Sequence, residues 1–172
     1  MHLETIYLDL DGVLANFLES AIKLHGISLA EYRKNYAGSY DTLELAIGKD
    51  NFWKKIHSQG AKWWAELETF DYSLSLWQYC QKIANTYVLT SPANSAECYA
   101  GKYEWCKKNL GCLPIICKDK YLLANSNALL VDDSSHKIDK FKSHGGQTIL
   151  WPNVLLERNF DGLAYFKNKT PH

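Results

Sequence analysis

The chain has 172 residues, with 19 Lys and Arg set against 19 Asp and Glu, so its formal charge is zero. At 47% hydrophobic and 22% charged residues it is neither disordered nor fibrous, and it reads as about one globular domain with a core of its own. Balanced charge argues against a nucleic-acid polymer as partner, because phosphate-backbone affinity needs an excess of clustered Lys and Arg; a single phosphorylated small molecule needs only one local positive site.

In chain order, the first apolar run is Thr5-Ile6-Tyr7-Leu8, which leads into Asp9. Thr86-Tyr87-Val88-Leu89 leads into Thr90, and Pro114-Ile115-Ile116-Cys117 is a shorter run. Ala128-Leu129-Leu130-Val131 leads into Asp132, and Gln147-Thr148-Ile149-Leu150-Trp151 stops at Pro152. Continuous rather than alternating apolar runs fit strands buried on both faces of a parallel sheet. Helical patterns lie between them. Asn94 with Glu97 three residues on predicts a helix start, and Lys107, Lys108 and Gly111 predict its end. Strands alternating with helices predict an α/β sandwich of three layers.

One interval breaks the rhythm. Residues 15–72 contain no convincing strand but several helical stretches rich in aromatics: Phe17, Tyr32, Tyr36, Tyr40, Phe52, Trp53, Trp63, Trp64 and Phe70. A helical insertion directly after the first strand sits above that strand's C-terminal end, where ligands bind in open α/β sheets. The expected division is a core of 1–14 and 73–172 and a helical cap subdomain of 15–72.

The chemistry concentrates at strand ends. In Asp9-Leu10-Asp11-Gly12-Val13 the two carboxylates point the same way from the end of a buried strand. Like charges at 4 Å repel by about 4 kcal/mol at an effective dielectric of ~20, so the pair calls for a cation, a shared proton or both. Asp132-Asp133 follows another buried strand, although Asp-Asp-Ser-Ser also fits a helix start capped by Ser134 or Ser135. Oxygen-only ligands without Cys or His in either cluster point to a hard cation, Mg²⁺ before Zn²⁺. Thr90-Ser91-Pro92 offers hydroxyls and backbone N–H groups that suit a phosphate, or simply cap a helix. Lys118 and Lys120 both follow the short third strand, and either can neutralise a phosphoryl oxygen.

Taken in order, acidic pair, Thr/Ser, Lys and acidic pair resemble the four motifs of the haloacid dehalogenase-like (HAD) phosphohydrolase superfamily. With Gly101-Lys102-Tyr103-Glu104-Trp105 and Asn16-Phe17 added, the likeness is to the 5'(3')-deoxyribonucleotidase family, from which Asn16 departs where the animal enzymes have Asp. The resemblance implies a HAD-like Rossmannoid core and an Mg²⁺-dependent phosphomonoesterase acting on nucleoside monophosphates. By the same resemblance Asp9 is the nucleophile and Asp11 the general acid and base. Mg²⁺ is held by Asp9, the backbone carbonyl of Asp11 and Asp133, with Asp132 behind them. Thr90, Ser91 and Lys120 cradle the phosphoryl oxygens, Lys102 is an additional contact, and Phe17 and Trp64 meet the leaving group. A homodimer is compatible with it.

The rival readings are a HAD phosphatase for another ester such as a sugar phosphate, a non-catalytic HAD binding module, and a receiver-type signalling domain. The last lacks an acidic pair after its Lys, which this chain has in Asp132-Asp133. No apolar stretch reaches the ~20 residues of a membrane helix, so no membrane partner is expected. Residues Met1 to Thr5 show no basic start of a secretory signal, and the five Cys form no C-x-x-C pair. Together they predict reduced thiols and a cytoplasmic location.

Overall fold

A computed structural model describes residues 3–37 and 40–170 of the chain. Met1 and His2, cited above for the N-terminus, and the side chain of Tyr40 lie outside the described residues, as do residues 38–39 within the expected cap and 171–172 at the end of the expected core. Five short strands form one parallel sheet in the order β3-β2-β1-β4-β5: β1 (Thr5–Leu8), β2 (Asn85–Thr90), β3 (Ile115–Ile116), β4 (Ala128–Asp132) and β5 (Gln147–Leu150). All five coincide with the apolar runs of the sequence. Each run is continuous because both faces of the sheet are covered: Ile6 and Leu8 of β1 pack into one core and Tyr7 into another.

The strand order explains which helix covers which face. From β1 the chain steps one way to β2 and β3, then crosses back and steps the other way through β4 to β5. Crossovers of one hand then place the connecting helices on opposite faces. Accordingly α6 (Ser73–Ile83) and α7 (Ala96–Leu110) contribute Leu76, Trp77, Cys80, Trp105 and Cys106 to the core on the Ile6 face. Across the sheet, α8 (Ser135–Ser143) contributes Ile138 and Phe141 to the Tyr7 face. The C-terminal α9 (Gly162–Lys169) returns against α6, burying Phe166. The result is the three-layer α/β sandwich expected.

Between β1 and α6 the chain forms α1 (Phe17–Leu24), α2 (Leu29–Asn35), α3 (Tyr40–Ile47), α4 (Lys49–His57) and α5 (Gly60–Ala65). It leaves and re-enters the sheet layer side by side. The Asn16 N–H donates to the Glu68 carbonyl at 2.8 Å, and the Ser73 hydroxyl donates to the Leu14 carbonyl at 2.7 Å. The last helix of this stretch lies against α7 so tightly that a Cβ on Gly101 would stand 2.3 Å from Trp64 Cβ and 2.5 Å from the Ala61 carbonyl oxygen. The indole N–H of Trp105 adds a buried hydrogen bond to the Leu67 carbonyl at 2.7 Å, worth about 1 kcal/mol net.

Local caps follow the sequence with one shift. Ser95, rather than the expected Asn94, is the N-cap of α7, its hydroxyl accepting from the Cys98 N–H at 3.2 Å. The cap needs an extended backbone with its side chain turned to the third N–H ahead, and Ser95 meets that requirement. Gly111, at φ 66°, ends the helix as expected. Asn16, the residue that departs from the resembled family, caps α1 and also donates to Glu19 at 2.6 Å.

Candidate active site

Asp9 follows β1 directly, and the pairing of β1 with its neighbour β4 decides what stands beside it. Leu8 is level with Val131, and the Asp9 N–H donates to the Val131 carbonyl at 2.9 Å. Asp9 therefore emerges next to Asp132 and Asp133 at one edge of the sheet. Each of the three offers a carboxylate oxygen within 4.8 Å of the others.

Three like charges this close need neutralising, and Lys120 supplies part of it. Its ammonium lies 2.7 Å from Asp9 Oδ1 and 2.7 Å from Asp132 Oδ2, with all three side chains almost completely buried. The other Asp132 oxygen accepts from the Ser134 N–H at 2.9 Å, so that carboxylate is fully committed inside the protein. Ser134 is the N-cap of α8, but its side chain makes no capping bond; its backbone N–H is the one that donates to Asp132. Lys118, the other candidate in the sequence, is exposed and outside the cluster.

Titration follows the same balance. Burial alone would raise the Asp9 carboxyl, but Lys120, Lys137 and Lys102 outweigh it and hold Asp9 below the ordinary carboxylate range. For Asp133 the balance falls the other way. Burial, then the charges of Asp9 and Asp132, push it well above the usual value. A carboxylate in that position favours a proton or a cation. Gly12 holds it there: its φ of 80° suits glycine, and a Cβ would stand 2.2 Å from Asp133 Oδ2.

Asp11 divides its two oxygens. Oδ2 accepts from Lys102 at 2.7 Å, while Oδ1 is buried without a hydrogen-bond partner. The Lys102 ammonium also donates to the Thr90 hydroxyl at 2.8 Å and the Ser91 carbonyl at 2.6 Å. All three of its protons thus have protein acceptors. Thr90 ends β2, on the other side of β1, so Thr90 and Ser91 complete the cluster from that flank. The Ser91 hydroxyl, like Asp11 Oδ1, is buried and unpartnered.

These groups form the floor of a cleft of about 350 Å³, lined by Asp9, Asp11, Ser91 and Asp133 below and by Phe17, Trp53, Trp64 and Phe70 above. Phe17 stacks on Trp64 (5.6 Å, 17°) and on Trp53 (6.2 Å, 25°). Trp63 packs edge-on against Phe17 and Trp64 and does not line the cleft. Trp64 is buried with its indole N–H unpartnered.

Trp53, Phe70 and Lys137 escaped the sequence reading. Trp53 was one aromatic among many in the insertion, and nothing in its spacing singles it out. Lys137 lines the cleft and lowers Asp9, Asp132 and Asp133. It did carry a signal: a basic residue in a helix's first turn opposes the helix dipole, so it needs an acidic neighbour to account for it.

The architecture is a Rossmannoid parallel sheet with carboxylates gathered at the ends of the neighbouring strands β1 and β4. No family model matches the chain, and no curated protein matches it by sequence. Solved structures do. The HAD-hydrolase YfnB of Bacillus subtilis, bound to magnesium, is 12% identical over 93% of this chain and 91% of its own, with a TM-score of 0.57. The haloacid dehalogenase-like family protein SP0104 of Streptococcus pneumoniae is 14% identical over 98% and 99%, also at 0.57. CbbY of Rhodobacter sphaeroides, in complex with phosphate, is 15% identical over 92% and 90%, at 0.55. At these identities the likeness establishes the HAD fold.

Proposed function

We propose that the protein is an Mg²⁺-dependent phosphomonoesterase that removes phosphate from nucleoside monophosphates. The observation that carries the reading is the meeting of Asp9, Asp11, Lys120, Asp132 and Asp133 at one cleft floor, with two buried oxygens, Asp11 Oδ1 and Ser91 Oγ, left open. The raised Asp133 and the hard oxygen donors fit a magnesium ion, held by Asp9, Asp133 and the Asp11 carbonyl, with Asp132 orienting Lys120 behind them. Bound there, the ion supplies charge neutralisation for the phosphoryl oxygens.

The residues then divide the work. Asp9 Oδ1 is engaged by Lys120 and by the Leu10 N–H at 2.8 Å, so Oδ2 attacks phosphorus and forms an aspartyl-phosphate. Asp11 protonates the departing alkoxide, then takes a proton from the water that releases phosphate. Ser91 and Lys120 meet the equatorial oxygens, with the Thr90 hydroxyl beside them. Residues 15–72 act as a cap subdomain. Phe17, Trp53 and Trp64 receive the leaving group, a planar base being the ligand whose stacking is worth about 1–3 kcal/mol on such faces. The five free thiols suit a reducing, cytoplasmic setting.

The test is phosphate release from a panel of nucleotides and sugar phosphates, with and without Mg²⁺, for wild type and Asp9→Asn. Nucleotides are expected to be hydrolysed best, only with the metal, and the variant to lose on the order of 10³-fold or more while still folded. Equal rates on sugar phosphates would remove the nucleotidase reading, and turnover by Asp9→Asn would remove the covalent mechanism.

A further inference from the structure

We propose that the groove beside the cleft floor is a second phosphate-binding site, held by Lys118, Lys137 and Lys140. It goes beyond the phosphomonoesterase reading, because its affinity for an anion does not depend on what the floor hydrolyses.

The groove opens past the carboxyl ends of the strands, where ligands of parallel sheets bind. It measures about 820 Å³, more than twice the 350 Å³ of the neighbouring cleft. The two spaces meet at Ser91, Pro92, Ala93 and Lys137, which line both. Their far walls differ in chemistry. The cleft runs up to the aromatic rings of the insertion, whereas the groove runs between the loop after β3 and the first turns of α8. There it gathers Lys118, Lys137, Lys140 and His136 against one lining carboxylate, Asp119. Lys120 also reaches the lining, but its ammonium is committed to Asp9 and Asp132. In a chain of zero formal charge this is a local cationic excess, and lysine ammonium groups meet phosphate oxygens as point charges.

The cations are held at one spacing. The Cys117 N–H donates to the Thr90 carbonyl at 2.9 Å, and Leu123 and Ala124 pack against the cluster of Ile138 and Phe141. The loop that carries Lys118 is thereby fixed to the helix that carries Lys137 and Lys140. The Lys140 ammonium lies 3.9 Å over the Tyr121 ring, and that ring is backed by His144 at 4.6 Å. Lys140 is also 3.8 Å from Asp119 Oδ1, but the Asp119 side chain is 51% exposed. Such a pair is weak and screened, so a phosphate dianion competes for the lysine. Because the two spaces are continuous, the phosphate has two possible sources: an ion leaving the floor, or the second phosphate of a ligand whose first sits on the floor.

The probe is inorganic phosphate, titrated calorimetrically into the full chain in EDTA at low ionic strength. Without a divalent ion the floor presents Asp9, Asp132 and Asp133 and repels an anion, so phosphate that binds reports the groove. One saturable equivalent is expected. Lys118→Ala or Lys140→Ala is expected to weaken it several-fold and the pair on the order of tenfold or more, while Lys169→Ala, on α9 across the sheet, leaves it unchanged. Lys118 is exposed, so Lys118→Glu keeps the test open even where a Lys140 variant folds poorly. No saturable binding, or an equal loss in Lys169→Ala, would overturn the proposal. Binding of a nucleoside 5'-monophosphate and a 3',5'-bisphosphate to Asp9→Asn with Mg²⁺ separates the sources. Tighter binding of the bisphosphate that disappears with both lysines replaced assigns the groove to a ligand's second phosphate; equal affinities assign it to the free ion. Should phosphate bind in EDTA while wild type hydrolyses no ester, the phosphatase reading fails and the groove stands.

Discussion

Four carboxylates and three lysines, Lys102, Lys120 and Lys137, share one corner of the molecule, and the way they are paired separates their duties. Asp132 is spent on holding Lys120, while the Asp133 carboxylate packs against Gly12. Gly12 makes that possible, since its φ of 80° and its 2.2 Å approach leave no space for a side chain. Gly12→Ala is therefore expected to cost about 1–3 kcal/mol in backbone strain and, by pushing Asp133 out of register with Asp9, to lose activity as well. Denaturant unfolding alongside phosphate release checks this; full activity in the variant would show that Asp133 tolerates displacement. The carboxylates at the ends of β1 and β4 were legible in the sequence because strands align their ends, so strand-end acids share an edge. What Lys102 does was not legible. Its three acceptors come from segments 11 to 91 residues away, and only folding brings them together.

At the level of elements, the strands were readable because burial on both faces leaves little choice but continuous apolar runs, and each run ends where its chemistry begins. The inner arrangement of the insertion was not. Its helices are short, α2 has 7 residues and α5 has 6, and their aromatic residues pack on one another rather than in a periodic stripe that a sequence can display. The contact between α5 and α7 shows what sets their spacing. In an exposed helix, Gly101→Ala would stabilise by about 1 kcal/mol through propensity alone. Here the new methyl meets Trp64 Cβ, the Ala61 carbonyl and the Ala65 amide, mostly backbone that cannot rotate aside. Overpacking of this kind costs about 1–3 kcal/mol, so the net sign is destabilising. The same shift moves Trp64 in the cleft. KM for a nucleotide is expected to rise several-fold, with little change for an ester whose leaving group is too small to reach the ring. A lower melting temperature with both KM values unchanged would place Trp64 outside substrate contact.

For the whole molecule, the site is a local charge excess in a neutral chain, and that excess sets up a trade between stability and binding. Asp133 with its raised titration point, beside Asp9 and Asp132, stores repulsion in the metal-free fold. A divalent cation that binds only the folded state relieves it and adds RT ln(1 + [L]/Kd), about 2.7 kcal/mol at a hundred times Kd. For a chain of 172 residues each kcal/mol moves the melting temperature by roughly 2–4 °C, so saturating Mg²⁺ is expected to raise it by about 5–10 °C. Asp133→Asn makes the opposite trade. Removing one of three crowded carboxylates is expected to raise the melting temperature without metal and to abolish the increment with it. Differential scanning of both proteins with EDTA and with Mg²⁺ measures all four temperatures. Equal increments in the two would mean that the cation binds elsewhere, and no increment in wild type would mean that the carboxylate cluster is neutralised by protons and lysines alone.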